Sequence, residues 1–573
     1  MISLLRDFTS ATRDRTTDWS MRFAATLSTP GLLLGTLFFA ASLTPSLLPR
    51  TLGMQGVLSG VSLAAGYGLG VFGRWLWGYL ELPLPTARRQ RTVTLSAAGI
   101  CLATALLFLR QAAEWQNSIR VLMELDPVDT AHPIRVGIIA AVVAILLLGV
   151  GRLFGLLFRI SAHWLSDHLP RKVANVLGVF SAVAVFWLVI NGVLLDFVIR
   201  TTDASFRQVD ALMEPDVEEP ASPLRTGSAE SLVAWADLGR RGREFVASGP
   251  RPTELREFLD PLDPEEVMEP IRVYVGLNSA ESIQERARLA LEELERVDAF
   301  SRSVLVVATP TGTGWIDPDA INTLEYLHGG DVATVAVQYS YLPSWLSLMA
   351  EAEYGDETAR ALFREVYGRW TDLPEDARPE LYLYGLSLGA LNSDLAADLY
   401  DIIADPFHGA LWAGPPFRST TWRQVTDGRE PDSPAWLPRF RDGSVIRFAN
   451  QDNGLDIHEA EWGPLRIVYL QYASDPITFF DQSALYRQPE WMEEPRGPDV
   501  SPELRWYPVV TMLQLAVDIA AGDTAPVGYG HVYAAEHYID AWLAVTDPPG
   551  WPPEEVARLK EWFQERRAEL ETE

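Results

Sequence analysis

Gly385-Leu386-Ser387-Leu388-Gly389 fits the pattern G-x-S-x-G, which holds a serine on a tight turn between a strand and a helix. The chemistry open to such a serine is acyl transfer: its oxygen attacks a carbonyl once a base has taken its proton. The pentapeptide alone is common by chance, so its flanks decide. Residues 381–384 are short, apolar and aromatic, as a buried strand is, and residues 390–403 carry Leu391, Leu395, Leu399 and Ile402 at helical spacing. The flanking glycines leave out the Cβ atoms that so sharp a turn cannot house.

The serine needs a histidine to accept its proton, and the histidine needs an acid to orient it. On an elbow of this kind the chain order is serine, acid, histidine. Four histidines follow Ser387: His408, His458, His531 and His537. His531, in Gly528-Tyr529-Gly530-His531-Val532-Tyr533, lies in a glycine-rich loop suited to delivering it, and His537 is the second choice. For the acid, Asp475 follows the apolar run 466–472, and its rival Asp452 follows the run 445–449. Asp475 is preferred because it lies on a loop just past a strand end. The oxyanion needs backbone N–H donors. One is expected from Leu388 and the other from the loop 309–315, at Thr311 or Gly312. That loop has no Gly-Lys-Ser/Thr, so it is not a phosphate loop, and the run from His531 to His537 is not H-E-x-x-H. The single cysteine, Cys101, allows no intrachain disulfide and no cysteine-built zinc site. No cofactor or metal is expected.

These residues must be positioned by a sheet. From residue 270 the chain alternates strand-like runs (271–275, 304–308, 332–337, 381–384, 409–413, 445–449, 467–472) with helical ones such as 280–297 and 316–327. Repeated strand–helix units imply a mostly parallel α/β sheet. Residues 339–349, rich in Tyr, Trp and Leu, suit either an acyl pocket or lid, or ordinary core.

The front of the chain is different. Residues 1–200 hold 17 Lys and Arg against 10 Asp and Glu, and the remainder 30 against 66, for a net charge of −29 over 573 residues. So acidic a back argues against nucleic-acid binding, which needs a basic face. Five stretches, 28–48, 54–82, 92–109, 136–158 and 173–199, are apolar enough to cross a bilayer. Arg74 and Arg152 within them are expected to snorkel or to form structural pairs. The long polar lead-in and repeated spans do not fit a cleaved signal peptide. Basic residues at 88–91 and 159–172 alternate with an acidic loop at 124–129. The positive-inside rule then puts the N-terminus in the cytoplasm and the C-terminal domain outside. The domains expected are a membrane bundle (1–200), an acidic, proline-rich linker (201–269) and a catalytic domain (270–573). Within the linker, Arg240, Arg241 and Arg243 suggest a helix-end charge cluster or an anion-binding patch. Residues 551–573 look like a charged amphipathic helix without chemistry.

With these parts together, the chain resembles a bacterial family of multi-pass membrane α/β-hydrolases. The carrying stretches are Thr311-Gly312-Thr313-Gly314-Trp315, the elbow pentapeptide, Ala473-Ser474-Asp475-Pro476 and Gly530-His531-Val532-Tyr533, within about 31–538. The resemblance implies an N-terminal transmembrane bundle, an α/β-hydrolase domain, and Ser387, Asp475 and His531 as nucleophile, acid and base. The expected activity is membrane-anchored hydrolysis of a lipidic or other ester through an acyl-enzyme. The alternatives are an acyltransferase serving an envelope acceptor and a non-catalytic membrane scaffold or transport protein.

Overall fold

The computed structural model describes residues 28–83, 87–189, 209–214, 217–259, 267–344, 346–347, 352–397, 399–458 and 460–572. They fall into two compact units.

The first unit takes in the described residues up to 186 together with 482–488 and 500–521. Three of its helices, Leu52–Tyr79, Thr92–Met123 and Pro133–Ser166, are long and apolar enough to cross a membrane. The expected span at 28–48 is not one continuous helix. Its helix, Thr29–Ser42, has 14 residues, about 21 Å, against a hydrocarbon core of about 30 Å. Pro45 is the physical reason for the early stop, because it lacks an N–H and disfavours helical geometry at Thr44. Leu43, Leu47 and Leu48 are then buried inside the unit. The expected span at 173–199 begins as the helix Arg171–Val189, and its last ten residues lie outside the described ones.

Glycines let the helices approach closely. A Cβ on Gly66 would lie 2.5 Å from the Leu34 carbonyl oxygen, and one on Gly60 would lie 2.7 Å from that of Ala140. The outward faces are apolar and uncovered at Leu95, Ile100, Leu102, Ile138, Ile145 and Phe180, a surface suited to acyl chains rather than water. Arg74 and Arg152 are on exposed helix surface, away from the interior.

The ten-residue helix Val510–Ile519 comes from far along the chain and packs on Thr29–Ser42 and Leu52–Tyr79. Its Asp518 is fully buried and paired with Arg50 at 3.2 Å. The second Asp518 oxygen accepts the Leu47 N–H at 3.0 Å.

The second unit is built on seven parallel strands: β1 (Ile271–Val275), β2 (Val304–Thr309), β3 (Val332–Val337), β4 (Glu380–Leu386), β5 (Gly409–Ala413), β6 (Ile446–Ala449) and β7 (Arg466–Leu470). Their order across the sheet is β1-β3-β2-β4-β5-β7-β6. Both faces are covered, which is why the strands read as continuous apolar runs. Helix starts follow their caps. The helix expected from 280 begins at Ile283 behind a Ser282/Glu285 capping box, and the one expected from 316 begins at Pro318 behind Asp317. Residues 390–403 form two short helices, Leu388–Asp394 and Leu399–Ile402, not one.

Part of the acidic linker packs into this unit. Arg225 bridges alongside Arg272 of β1 and pairs with Glu269 at 3.1 Å. The arginines of the cluster make internal bonds, although Arg243 Nε and Nη1 have no partner among the described residues. Arg240 and Arg241 pair with Glu244 at 3.0 and 2.7 Å, and buried Arg243 donates to the Leu212 carbonyl at 2.6 Å.

Candidate active site

Four neighbouring strands, β2, β4, β5 and β7, bring their C-terminal ends to one rim, the place where open parallel sheets bind ligands. Ser387 follows β4 directly, with φ 56° and ψ −125°. That conformation is strained for a residue with a side chain, and strain of this kind is a feature of functional turns. The neighbouring glycines are forced by contact. A Cβ on Gly385 would lie 2.4 Å from the Gly389 backbone, and one on Gly389 would lie 2.2 Å from the Thr309 carbonyl oxygen. The second contact also seats the elbow against the loop that follows β2.

Asp475 lies past β7 and caps the short helix Pro476–Phe479. One carboxylate oxygen accepts the Ile477 N–H at 2.8 Å and the Thr478 N–H at 3.4 Å. The other is bonded to His531 Nδ1 at 2.7 Å and accepts from Tyr533 Oη at 2.8 Å and Thr478 Oγ1 at 3.2 Å. The carboxylate has no solvent exposure. Asp452, the rival, is exposed, and its N–H is held in a local turn by Asn450.

The imidazole of His531 is brought to the serine side of the rim through Gly414, the residue after β5. A Cβ on Gly414 would lie 2.6 Å from His531 Cε1, so only glycine fits beneath the ring. The carbonyl just before it, on Ala413, accepts the Ser387 N–H at 2.9 Å. Serine backbone and imidazole are therefore held on two adjacent residues of one strand end. With Nδ1 bound to Asp475, Nε2 is buried with no partner among the described residues. An imidazole fixed at Nδ1 by a carboxylate presents Nε2 as a base.

His537 is elsewhere. Its Nδ1 is 2.6 Å from Tyr472 Oη, and burial pushes its pKa down to about 4. His408 is structural, its Nδ1 accepting the Leu381 N–H at 3.0 Å.

Of the expected oxyanion donors, Leu388 is the first residue of its helix, and first-turn N–H groups have no intrahelical acceptor. The other two are engaged. The Thr311 N–H closes a turn onto the Trp315 carbonyl at 2.9 Å, and the Gly312 N–H donates to Ser344 Oγ at 3.2 Å. Leu388 and Leu391 pack with Tyr339 from the aromatic stretch. Leu342 and Leu346 are buried as well, while Trp345, Leu348 and Met349 lie outside the described residues.

Three residues around the site carried no weight in the sequence. Gly414 is one. Tyr533 is in plain view two residues after His531. Its hydroxyl is kept protonated, hence a donor, because burial and then the Asp475 charge raise its pKa well above the phenol range. Asp499 is the third. It accepts from the Ser474 N–H at 3.0 Å and from Gln451 at 2.9 Å, and Ser474 Oγ in turn accepts the Gly530 N–H at 2.9 Å. It therefore ties the loop carrying Asp475 to the loop carrying His531. Among the described residues no group of three or more His, Cys, Asp or Glu side chains could hold a metal.

Residues 271–559 match the model of an alpha/beta-hydrolase family, and residues 43–250 match the model of that family's N-terminus. The chain belongs to this alpha/beta-hydrolase family. No curated protein and no solved structure matches it. The family match covers the whole rim of the hydrolase sheet, from β1 past His531, and the N-terminal match covers all three long apolar helices of the first unit.

Proposed function

We propose that the protein is a membrane-anchored serine hydrolase that cleaves esters, with lipidic esters as the favoured class. Ser387 attacks the acyl carbonyl, His531 takes its proton and returns it to the leaving alcohol, and Asp475 holds the imidazole. Water then attacks the acyl-enzyme, with His531 again as base, and releases the acid and free Ser387. Leu388 gives one oxyanion donor. Gly312 gives the second, since its present acceptor is a hydroxyl that can turn away, whereas Thr311 is held in a backbone turn. The observation carrying this reading is the 2.7 Å Asp475–His531 bond, with the ring lodged against Gly414 beside the Ser387 backbone.

The lipidic substrate class is supported by the three apolar helices and by the Tyr339–Leu388–Leu391 cluster beside the elbow. An extracytoplasmic catalytic domain is supported by the charge pattern: basic 88–91, acidic 124–129, basic 159–172. That pattern does not depend on whether Thr29–Ser42 crosses. Within the first unit, the 500–521 segment bonds to Leu47, Arg50 and Ser118, near the 43–51 and 124–129 loops, which share a side in this reading.

The test is labelling of the full-length protein in detergent by a fluorophosphonate. Wild type should label and Ser387→Ala should not, and the same variant should lose p-nitrophenyl acyl ester cleavage. Absence of label on folded wild type would favour a non-catalytic membrane protein. Product analysis with an added alcohol acceptor separates hydrolysis from acyl transfer.

A further inference from the structure

The first unit contains a cavity of 170 Å³ whose wall includes Leu43, Arg50, Leu52, Gln116 and Val136. Two donors on these side chains, Arg50 Nη2 and Gln116 Nε2, are buried without an acceptor among the described residues. Both residues are more than nine-tenths buried. Neither can turn away freely. Arg50 gives Nε to Asp518 at 3.2 Å and Nη1 to Gln55 at 2.9 Å and to the Ser42 carbonyl at 3.1 Å. Gln116 Oε1 accepts the Arg50 N–H at 2.8 Å, which fixes Nε2 as the free end. Buried donors without acceptors are rare and costly, and two fixed in the wall of one cavity mark the place of an acceptor.

Charge says which acceptor. Asp518 neutralises Arg50, but Arg120 also lines the cavity. Its guanidinium makes no ion pair among the described residues and donates to the Asp126 carbonyl at 2.6 Å. The wall therefore favours an anion. Shape says what is attached to it. A groove of 570 Å³ shares Leu109, Thr130 and Ala131 with the cavity and runs between the helices Thr92–Met123 and Pro133–Ser166. Leu106, Ile134 and Ile138 line it and are more than half exposed, so it opens on the outer apolar face.

We propose that the N-terminal unit binds a long-chain carboxylate, its two oxygens on Arg50 and Gln116 and its hydrocarbon chain in the groove. Such an acid is the product class of the ester hydrolysis proposed above, but binding needs neither Ser387 nor turnover. The small head cavity selects a carboxylate over the bulkier phosphodiester of a diacyl lipid.

The experiment uses full-length Ser387→Ala protein in nanodiscs and measures binding of palmitate, hexadecanol, acetate and phosphatidylglycerol. Palmitate should bind saturably, and hexadecanol and acetate about tenfold or more weakly. Gln116→Glu keeps the bond to the Arg50 N–H but replaces the free donor with a carboxylate oxygen, so it should fold and weaken palmitate by at least about tenfold. Gly137→Leu, at a groove position with no atom closer than 3.8 Å to a new Cβ, should weaken it independently. Equal binding of hexadecanol, binding of phosphatidylglycerol but not palmitate, or indifference to both substitutions would overturn the proposal. Fluorophosphonate labelling of protein with native Ser387 reports on the triad separately.

Discussion

Asp475 gives one oxygen to the backbone of its own helix and shares the other between the imidazole of His531 and the hydroxyl of Tyr533. This division separates the roles of two neighbours. Asp475→Asn should lower kcat by about 10³-fold or more, because the amide would favour the wrong imidazole tautomer. Tyr533→Phe removes only a donor that steadies the carboxylate. It should lower kcat by about tenfold with little change in KM, since nothing it touches binds the acyl group. Asp452→Asn, on the exposed rival, should leave both constants within about twofold. Ester kinetics on the three variants decide between the two acids. The turn at Ser387 and the cap at Asp475 were legible in the sequence because they are local: close backbone contact demands the flanking glycines, and an Asp-Pro pair after an apolar run reads as a cap past a strand. Asp499 left no such trace. Its importance lies in bonds to Ser474 and Gln451, residues distant in the chain, and its own stretch has no periodicity.

The helix Ala535–Thr546 supplies the next scale. It carries His537 and buries it against Tyr472, whose ring stacks at 4.4 Å on that of Tyr533. Burial holds the folded-state pKa of His537 at about 4, below the ordinary value of 6.5. The unfolded chain thus takes up a proton more readily. The stability this buried neutral ring contributes is fully present above pH 6.5 and is lost as pH falls through about 4. Over that window the loss is on the order of 3 kcal/mol. The thermal midpoint of full-length protein should fall between pH 6.5 and 4, and more shallowly in His537→Gln; parallel curves would show that another group governs the acid limb. The parallel strands were legible because both faces are buried, and apolar runs with that cause differ little from their final limits. Helix ends were less so. The start at Pro318 depends on the Asp317 cap rather than on hydrophobic period, and the break after Asp394 has no proline to announce it.

At the scale of the whole molecule, hydropathy registers composition but not chain reversals. Residues 28–48 pass for a membrane span by their apolar content, yet Pro45 ends their helical course early and turns Leu47 and Arg50 toward Asp518. The return of Val510–Ile519 to the first unit was likewise invisible. Ten residues of mixed apolar character look like any core helix, and their partners lie more than 450 positions earlier. Splitting Arg50 from Asp518 should be severe, because a buried charge left alone typically costs about 3–5 kcal/mol.

That return has a practical side. A gene fragment starting at residue 209, chosen to yield a freely dissolving enzyme, would still encode Val510–Ile519 and its Asp518, but nothing for them to pack on. The orphaned stretch begins just eighteen positions after Met492 and ends twelve before His531, so removing it would mean re-closing the very connection that delivers the imidazole. Expressed alone, the fragment should aggregate or fail to take up fluorophosphonate, while co-expression with residues 1–200 should restore the label. A soluble, fully labelled fragment would show the two portions to be separable after all.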